Sequence, residues 1–150
     1  MRAYKVFAIK DGTVIDHIPN GKGLRLIAAL KLNDMNTVLT MGTHFTSKRL
    51  GRKDIVKIEH KELSPSEVNQ VCLFAPTATI NIIREHKVVK KFTVAVPPVF
   101  TELVICPNSR CITNHERTPS TFYPLADGER LRLRCHYCEK IFSHEEVSLR

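Results

Sequence analysis

Four of the five cysteines in this chain fall in two short pairs. Cys106-Pro107-Asn108-Ser109-Arg110-Cys111 is a C-x4-C loop, and Cys135-His136-Tyr137-Cys138 is a C-x2-C loop. Two such hairpins can each present two thiolates to one half of a tetrahedron, with sulfurs about 2.3 Å from a zinc ion. The segment from Ile112 to Arg134 is long enough to leave one knuckle and return to the other. Two disulfides, or scattered core thiols, are the alternatives. Met1-Arg2-Ala3-Tyr4-Lys5 has no apolar run behind it of the kind that directs secretion, so a reducing cytoplasm and one Zn²⁺ are expected. Four thiolates leave no coordination position for water or substrate, so the metal is expected to be structural. The roughly fifty residues from Thr101 onward bury too little apolar surface to fold unaided, which makes metal binding and folding one event.

Elsewhere the side chains permit a site without defining one. There is no nucleophile motif, no phosphate-cradling glycine loop and no H-E-x-x-H, so an enzyme has little support. Asp16 and His17 are adjacent on a β-rich segment and should point to opposite faces, which argues against a catalytic dyad. Lys57, Lys90 and Lys91 read by themselves as solvated charges on outer strands. The chain carries 23 Lys and Arg against 15 Asp and Glu, a formal net charge of +8. That balance suits a polyanion: nucleotide phosphates, nucleic acid or an acidic protein surface.

The elements that would position these residues follow from period and punctuation. Tyr4 to Ile9 reads as a strand or extended arm, and Thr13 to Ile18 as a strand stopped by Pro19. Leu26, Ile27 and Leu30 share one helical face, predicting a short amphipathic helix over 22–32. Thr37 to Phe45 is β-rich, Ser47 to Lys53 reads as a basic loop around Gly51, and Asp54 to Glu59 alternates as a strand. Ser64-Pro65-Ser66-Glu67 carries the cap, the first-turn proline and the reciprocal glutamate of a capping box. Val68, Val71, Cys72 and Ala75 mark that helix's buried stripe, so Cys72 is read as a core thiol. Thr79–Ile83 and Val88–Val94 form a final strand pair. The order β-α-β-β-α-β with an extra strand predicts an α+β fold, a ferredoxin-like antiparallel sheet with two helices. Pro97-Pro98 marks an exit, giving a domain over 1–96, a linker over 97–100 and a small all-β zinc-binding domain over 101–150. Glu102–Ile105, Thr121–Leu125 and Arg130–Arg134 are its expected strands.

Several runs, in order, resemble the regulatory chain family of aspartate carbamoyltransferase, the first committed enzyme of pyrimidine synthesis. They are Gly12–Pro19 (GTVIDHIP), Gly51–Glu59 (GRKDIVKIE) and Ala75–Asn81 (APTATIN), then Val104–Asn108, Cys135–Glu139 and Phe142–His144. The resemblance covers nearly the whole chain. It implies an amino-terminal domain that binds nucleoside triphosphates, CTP and ATP with UTP left open, and that pairs with a second regulatory chain. It implies a zinc domain that docks onto catalytic chains. The nucleotide site it implies maps onto Ile9, Val14, Asp16, His17, Lys57, Asn81, Ile83, Val88 and Lys91. His86 stands where members often carry tyrosine near the base, and the amino-terminal arm is a few residues shorter. Those departures bear on base preference and on the relative strength of CTP and ATP.

The competing class is a zinc-ribbon nucleic-acid binder. It would set Lys48, Arg49, Arg52 and Lys53 with the alternating Arg130, Arg132 and Arg134 against phosphates. The knuckles are expected to lack the exposed aromatics that single-strand binders stack on, which weighs against it. No stretch approaches a membrane span.

Overall fold

Residues 8–34, 36–127 and 130–149 are described by the computed structural model. The expected strand or arm from Tyr4 to Ile9 lies outside them except for Ala8 and Ile9, which are not in a strand.

The first β-rich segment forms β1 (Gly12–Pro19), followed by α1 (Gly23–Ala29). That helix is shorter than its amphipathic period suggested. Lys31 takes a left-handed conformation (φ 55°) and breaks it, and a separate 3-10 turn over Leu32–Asp34 then buries Leu32. Next come β2 (Leu39–Ser47) and β3 (Gly51–Glu59). The expected basic loop shrinks to a turn at residues 48–50. Gly51, at φ 79°, pairs with Ser47, whose Oγ accepts the Leu50 N–H at 3.1 Å. Arg52 and Lys53 are therefore strand residues.

α2 (Pro65–Phe74) begins as its sequence dictates. Ser64 Oγ accepts the Glu67 N–H at 3.2 Å and Glu67 accepts the Ser64 N–H at 3.0 Å, satisfying two donors that a helix start leaves open. β4 (Thr79–Arg84) and β5 (Lys87–Thr93) follow as a hairpin. Its two turn residues, Glu85 and His86, both have positive φ, at 48° and 65°, the twist that a two-residue turn needs between right-twisted strands. The Asp11 carboxylate accepts the Glu85 N–H, and the Lys10 carbonyl accepts that of His86.

The sheet order is β2-β3-β1-β4-β5, antiparallel throughout. This is the ferredoxin-like arrangement with β5 added at one edge. Ile15, Ile18, Val56, Ile58, Ile80 and Ile82 form the buried side of the sheet, against Leu26, Ile27, Val71 and Leu73 of the helices. Among the described residues, no helix covers the other side.

Apart from a 3-10 turn over Ile112–Asn114, the regular elements of the described remainder are strands: β6 (Phe100–Thr101), β7 (Val104–Ile105), β8 (Thr121–Asp127), β9 (Arg130–Cys135), β10 (Ile141–Ser143) and β11 (Ser148–Leu149). Sheet β10-β9-β8-β6 and ribbon β11-β7 enclose Phe100, Val104, Phe122, Leu131, Leu133 and Val147. That core is small, and the cysteines complete it.

Candidate metal centre and open sheet face

Cys106 leaves β7 and Cys135 ends β9, so each knuckle grows from a strand end. In the first, Cys111 N–H donates to the Asn108 carbonyl. The Asn114 amide ties the Cys106 and Asn108 carbonyls together at 3.0 and 2.8 Å. In the second, Glu139 turns the chain back at φ 63°, its N–H on the Cys135 carbonyl.

Cys106 Sγ lies 3.7 Å from Cys138 Sγ, and Cys111 Sγ lies 3.7 Å from Cys135 Sγ. All four sulfurs fall within 4.8 Å of one another. Disulfide sulfurs would be about 2.0 Å apart. Four thiolates about 2.3 Å from a tetrahedral centre are separated by about 3.8 Å, so the donor set fits a metal ion. Burial drives the Cys106 and Cys135 thiols above their ordinary pKa. Burial acts the same way on Cys111, but the Thr113 hydroxyl, 3.1 Å from its sulfur, the Thr113 amide and the Cys135 and Cys106 thiols together outweigh it and bring that thiol to about 7. Backbone N–H groups of Asn108, Tyr137 and Cys138 also point at the sulfurs. These donors stabilise thiolate, the form a metal needs. Cys72 is apart from them, fully buried in α2, and burial pushes its thiol up to about 11. It is an inert core residue.

The knuckle corrects one expectation from sequence. Tyr137 is 41 % exposed and edge-on to His136, whose Nδ1 is 2.9 Å from the Tyr123 hydroxyl. Arg134 lies over the Tyr123 ring, with its guanidinium carbon 5.4 Å from the centroid. Aromatics do border the exposed row Arg130, Arg132 and Arg134.

On the open sheet face, strand register gathers residues that are far apart in sequence. Val14 pairs with Lys57 on one side and Asn81 on the other, and Asn81 pairs with Lys91. Paired residues share a face, so Lys57, Val14, Asn81 and Lys91 form one row across four strands. Gly12, Ile83 and Val88 form the adjacent row, with Ile9 buried just before β1. Burial lowers the Lys57 pKa, and the neighbouring Asp16 charge partly restores it.

Asp16 and His17 depart from simple alternation. A bulge in β1 opposite β3 puts both Ile15 and Ile18 in the core and leaves Asp16 and His17 together outside it. His17 is the inserted residue, at φ 56°, with its N–H 2.6 Å from Asp16 Oδ1. Its ring nitrogen Nδ1 is 3.0 Å from Thr79 Oγ1, and its carbonyl accepts the Thr77 hydroxyl at 2.9 Å. Lys53 Nζ sits 2.9 and 3.2 Å from the two Asp16 oxygens. Sequence reading missed Lys53 by placing it in a loop, although the alternation Lys53-Asp54-Ile55-Val56-Lys57 already sets both lysines on one face. It also missed Asp54, which is 1 % exposed on the helix side. Its carboxylate accepts from Gly21 N–H (3.0 Å), Gly23 N–H (2.9 Å) and the Thr43 hydroxyl (2.5 Å), fixing the start of α1.

The class that emerges is a two-part protein: an open-faced α+β sheet joined to a closed four-cysteine metal domain. The family model for the aspartate carbamoyltransferase regulatory chain, allosteric domain, matches residues 4–95. The model for its metal binding domain matches residues 98–148. The chain is similar to proteins named aspartate carbamoyltransferase regulatory chain over nearly their whole length. It is 51% identical to that of Pyrococcus abyssi over 149 residues, covering 98% of this chain and 97% of the relative. It is 52% identical to that of Pyrococcus horikoshii over 150 residues, with the same coverage. With Chromobacterium violaceum the identity is 39% over 143 residues, covering 95% and 94%. This chain belongs to the aspartate carbamoyltransferase regulatory chain family, whose members are regulatory rather than catalytic. Among the described residues, no helix is long and apolar enough to cross a membrane.

Proposed function

We propose that the open sheet face binds CTP and ATP, with UTP as a further ligand, and that occupancy there controls catalytic chains docked on the metal domain. The chain would work in the cytoplasm, in pyrimidine biosynthesis, and would pair with a second regulatory chain. The observation that carries this reading is the cross-strand row Lys57–Val14–Asn81–Lys91 beside the bulged Asp16-His17 pair. Two ammonium groups on one face suit a triphosphate, and a carboxylate at the bulge suits ribose hydroxyls. Val88 offers exposed apolar surface for a base, with Ile9 and Ile83 buried in this structure. Asp16 is paired with Lys53, so Lys53 must either exchange partners when a nucleotide arrives or join in holding its phosphates.

The metal is proposed to be zinc, one per chain, held by Cys106, Cys111, Cys135 and Cys138. Bound there, it supplies folding free energy rather than chemistry. The nucleotide domain is taken as 1–96, the linker as 97–100 and the zinc domain as 101–150.

The test mixes the zinc-loaded chain with the catalytic chains of aspartate carbamoyltransferase from the same source. Light scattering reads mass, and activity is followed with and without CTP and ATP. A large complex whose activity responds to nucleotide is the expected result. A complex with no response removes the coupling. No complex, with metal bound, removes the docking role and turns attention to the arginine row with Tyr123 and Tyr137. A nucleic-acid role for that surface would show steep salt dependence in single-strand binding.

A further inference from the structure

The two units meet where the end of α2 faces the last strands of the metal domain. Lys22 Nζ of the first unit lies 3.6 Å from Glu145 Oε2 of the second. Beside it, His144 Nδ1 lies 2.6 Å from the carbonyl oxygen of Leu73. A carbonyl only accepts, so Nδ1 carries the proton in this contact. Leu73 is in the last turn of α2, where carbonyls lack partners within the helix. His144 thus caps a helix that belongs to the other unit. Its side chain is 13 % exposed, and its own N–H is fixed on the Leu131 carbonyl of β9, so a shift of Leu73 is felt by the metal-bearing sheet.

The other end of this connection is the proposed nucleotide face. Residues 75–78 join α2 to β4. In that turn the Thr77 hydroxyl donates to the His17 carbonyl at 2.9 Å, and the Thr77 carbonyl accepts from Arg49 Nη1 at 3.5 Å. Ala75 N–H is bonded to Val71 and Ala78 N–H to Ala75, so the turn is stiff between Leu73 and Thr77. A displacement of the strained His17 backbone therefore reaches Leu73 through one hydrogen bond and one tight turn. The apolar part of the boundary is less complete. A groove of about 400 Å³ opens among Arg25, Ala28, Ala29, Phe74, Ser148 and Leu149. Apolar contact is also non-directional, whereas a short hydrogen bond to a fixed carbonyl has one geometry.

We propose that His144 is the positioning residue that couples the units, passing movement of the His17–Thr77–Leu73 path into the metal domain. This rests on the nucleotide reading above and adds the residues that carry its signal. The charged groups around His144 are Glu145, Lys22 and Arg25. None of them replaces an N–H aimed at Leu73.

The experiment uses the full chain assembled with catalytic chains. It reads CTP and ATP affinity by calorimetry, and the change in carbamoyltransferase activity at saturating nucleotide. His144→Leu fills the space without a donor, whereas His144→Gln can still donate an amide N–H to the same carbonyl. The Leu variant should bind nucleotide as the wild type does, with coupling about 2- to 30-fold weaker, and the Gln variant should recover most of the response. Thr77→Val should also weaken coupling, and the double variant His144→Leu/Thr77→Val should lose less than the two single losses combined. A wild-type response in His144→Leu overturns the proposal, as does a Gln variant as uncoupled as the Leu variant. If His144→Leu does not assemble, an undiminished response in Thr77→Val overturns it. A wild-type chain that binds no nucleotide overturns the functional reading beneath it and this proposal together. A wild-type chain that responds while both variants respond equally removes the coupling residue alone.

Discussion

The metal domain and the open sheet face are built on opposite plans. The four cysteines proposed to hold the metal come from two knuckles, and their sulfurs gather into one cluster in which Cys106, Cys111 and Cys135 are buried. The nine residues assigned to the nucleotide face run from Ile9 to Lys91, on four strands and the segment before β1. A metal concentrates its requirements at one point, so it selects residue type and local spacing. A sheet face spreads its requirements over registers that are set by pairing elsewhere. Stability divides the same way: the five-stranded sheet has a two-helix cover and a wide aliphatic core, whereas the smaller unit has few core side chains, the situation in which small domains are held by a metal or disulfides.

Removing the metal is the harshest test of that contrast. Chelation, or Cys138→Ser, should unfold the region matched by the metal-binding model while the first unit keeps its secondary structure. Structural zinc supplies about 10–16 kcal/mol in small domains. Tertiary circular dichroism with a metal assay checks it, and unchanged signal after complete metal loss would break the comparison. Metal affinity should also fall as pH falls. Burial holds Cys106 and Cys135 above ordinary thiol values, so protons compete for those sulfurs before the ion does.

Asp54→Ala tests the first unit in turn. It strands two backbone N–H groups and a hydroxyl around a buried position, and about 3 kcal/mol of stability should be lost. Urea unfolding of the metal-loaded chain reads this, and a shift confined to the cysteine domain would contradict the assignment. Lys91→Ala should weaken CTP and ATP binding about 10- to 150-fold, through loss of a charge-assisted contact worth about 1.5–3 kcal/mol, with little change in stability. Equal affinities in calorimetry would remove Lys91 from the site.

The smallest expected effect is Ser64→Ala, about 1 kcal/mol from the lost cap. Burial pushes the Glu67 carboxyl up, but the Ser64 N–H, the Lys61 ammonium and the Ser64 hydroxyl together bring it below its ordinary value. The cap's ionic contribution is therefore complete above the usual glutamate range and fades as pH drops through the lowered value. A thermal melt at neutral pH and another near pH 3 would separate the two states of the cap.

Local chemistry settled much of the molecule in advance. Cysteine spacing picked out the four residues whose sulfurs cluster, and Ser64-Pro65-Ser66-Glu67 gave the start of α2 to the residue. The alternation in β3 and the element order were enough for a ferredoxin-like sheet, because side-chain period is a property of the strand itself. Tertiary pairing decided the rest. Alternation alone put Asp16 and His17 on opposite faces, and only the bulge against β3 keeps both out of the core. Composition made Ser47–Lys53 a loop, but Gly51 pairing with Ser47 drew Arg52 and Lys53 into the sheet and set Lys53 against Asp16. Asp54 read only as the first residue of a strand until packing placed it under the start of α1. His144, near the end of the chain, gave no sign that it would meet the last turn of α2. Local order depends on each residue's neighbours in the chain; the contacts of Asp54 with Thr43, Lys53 with Asp16 and His144 with Leu73 join residues 11, 37 and 71 positions apart, which only the folded chain brings together.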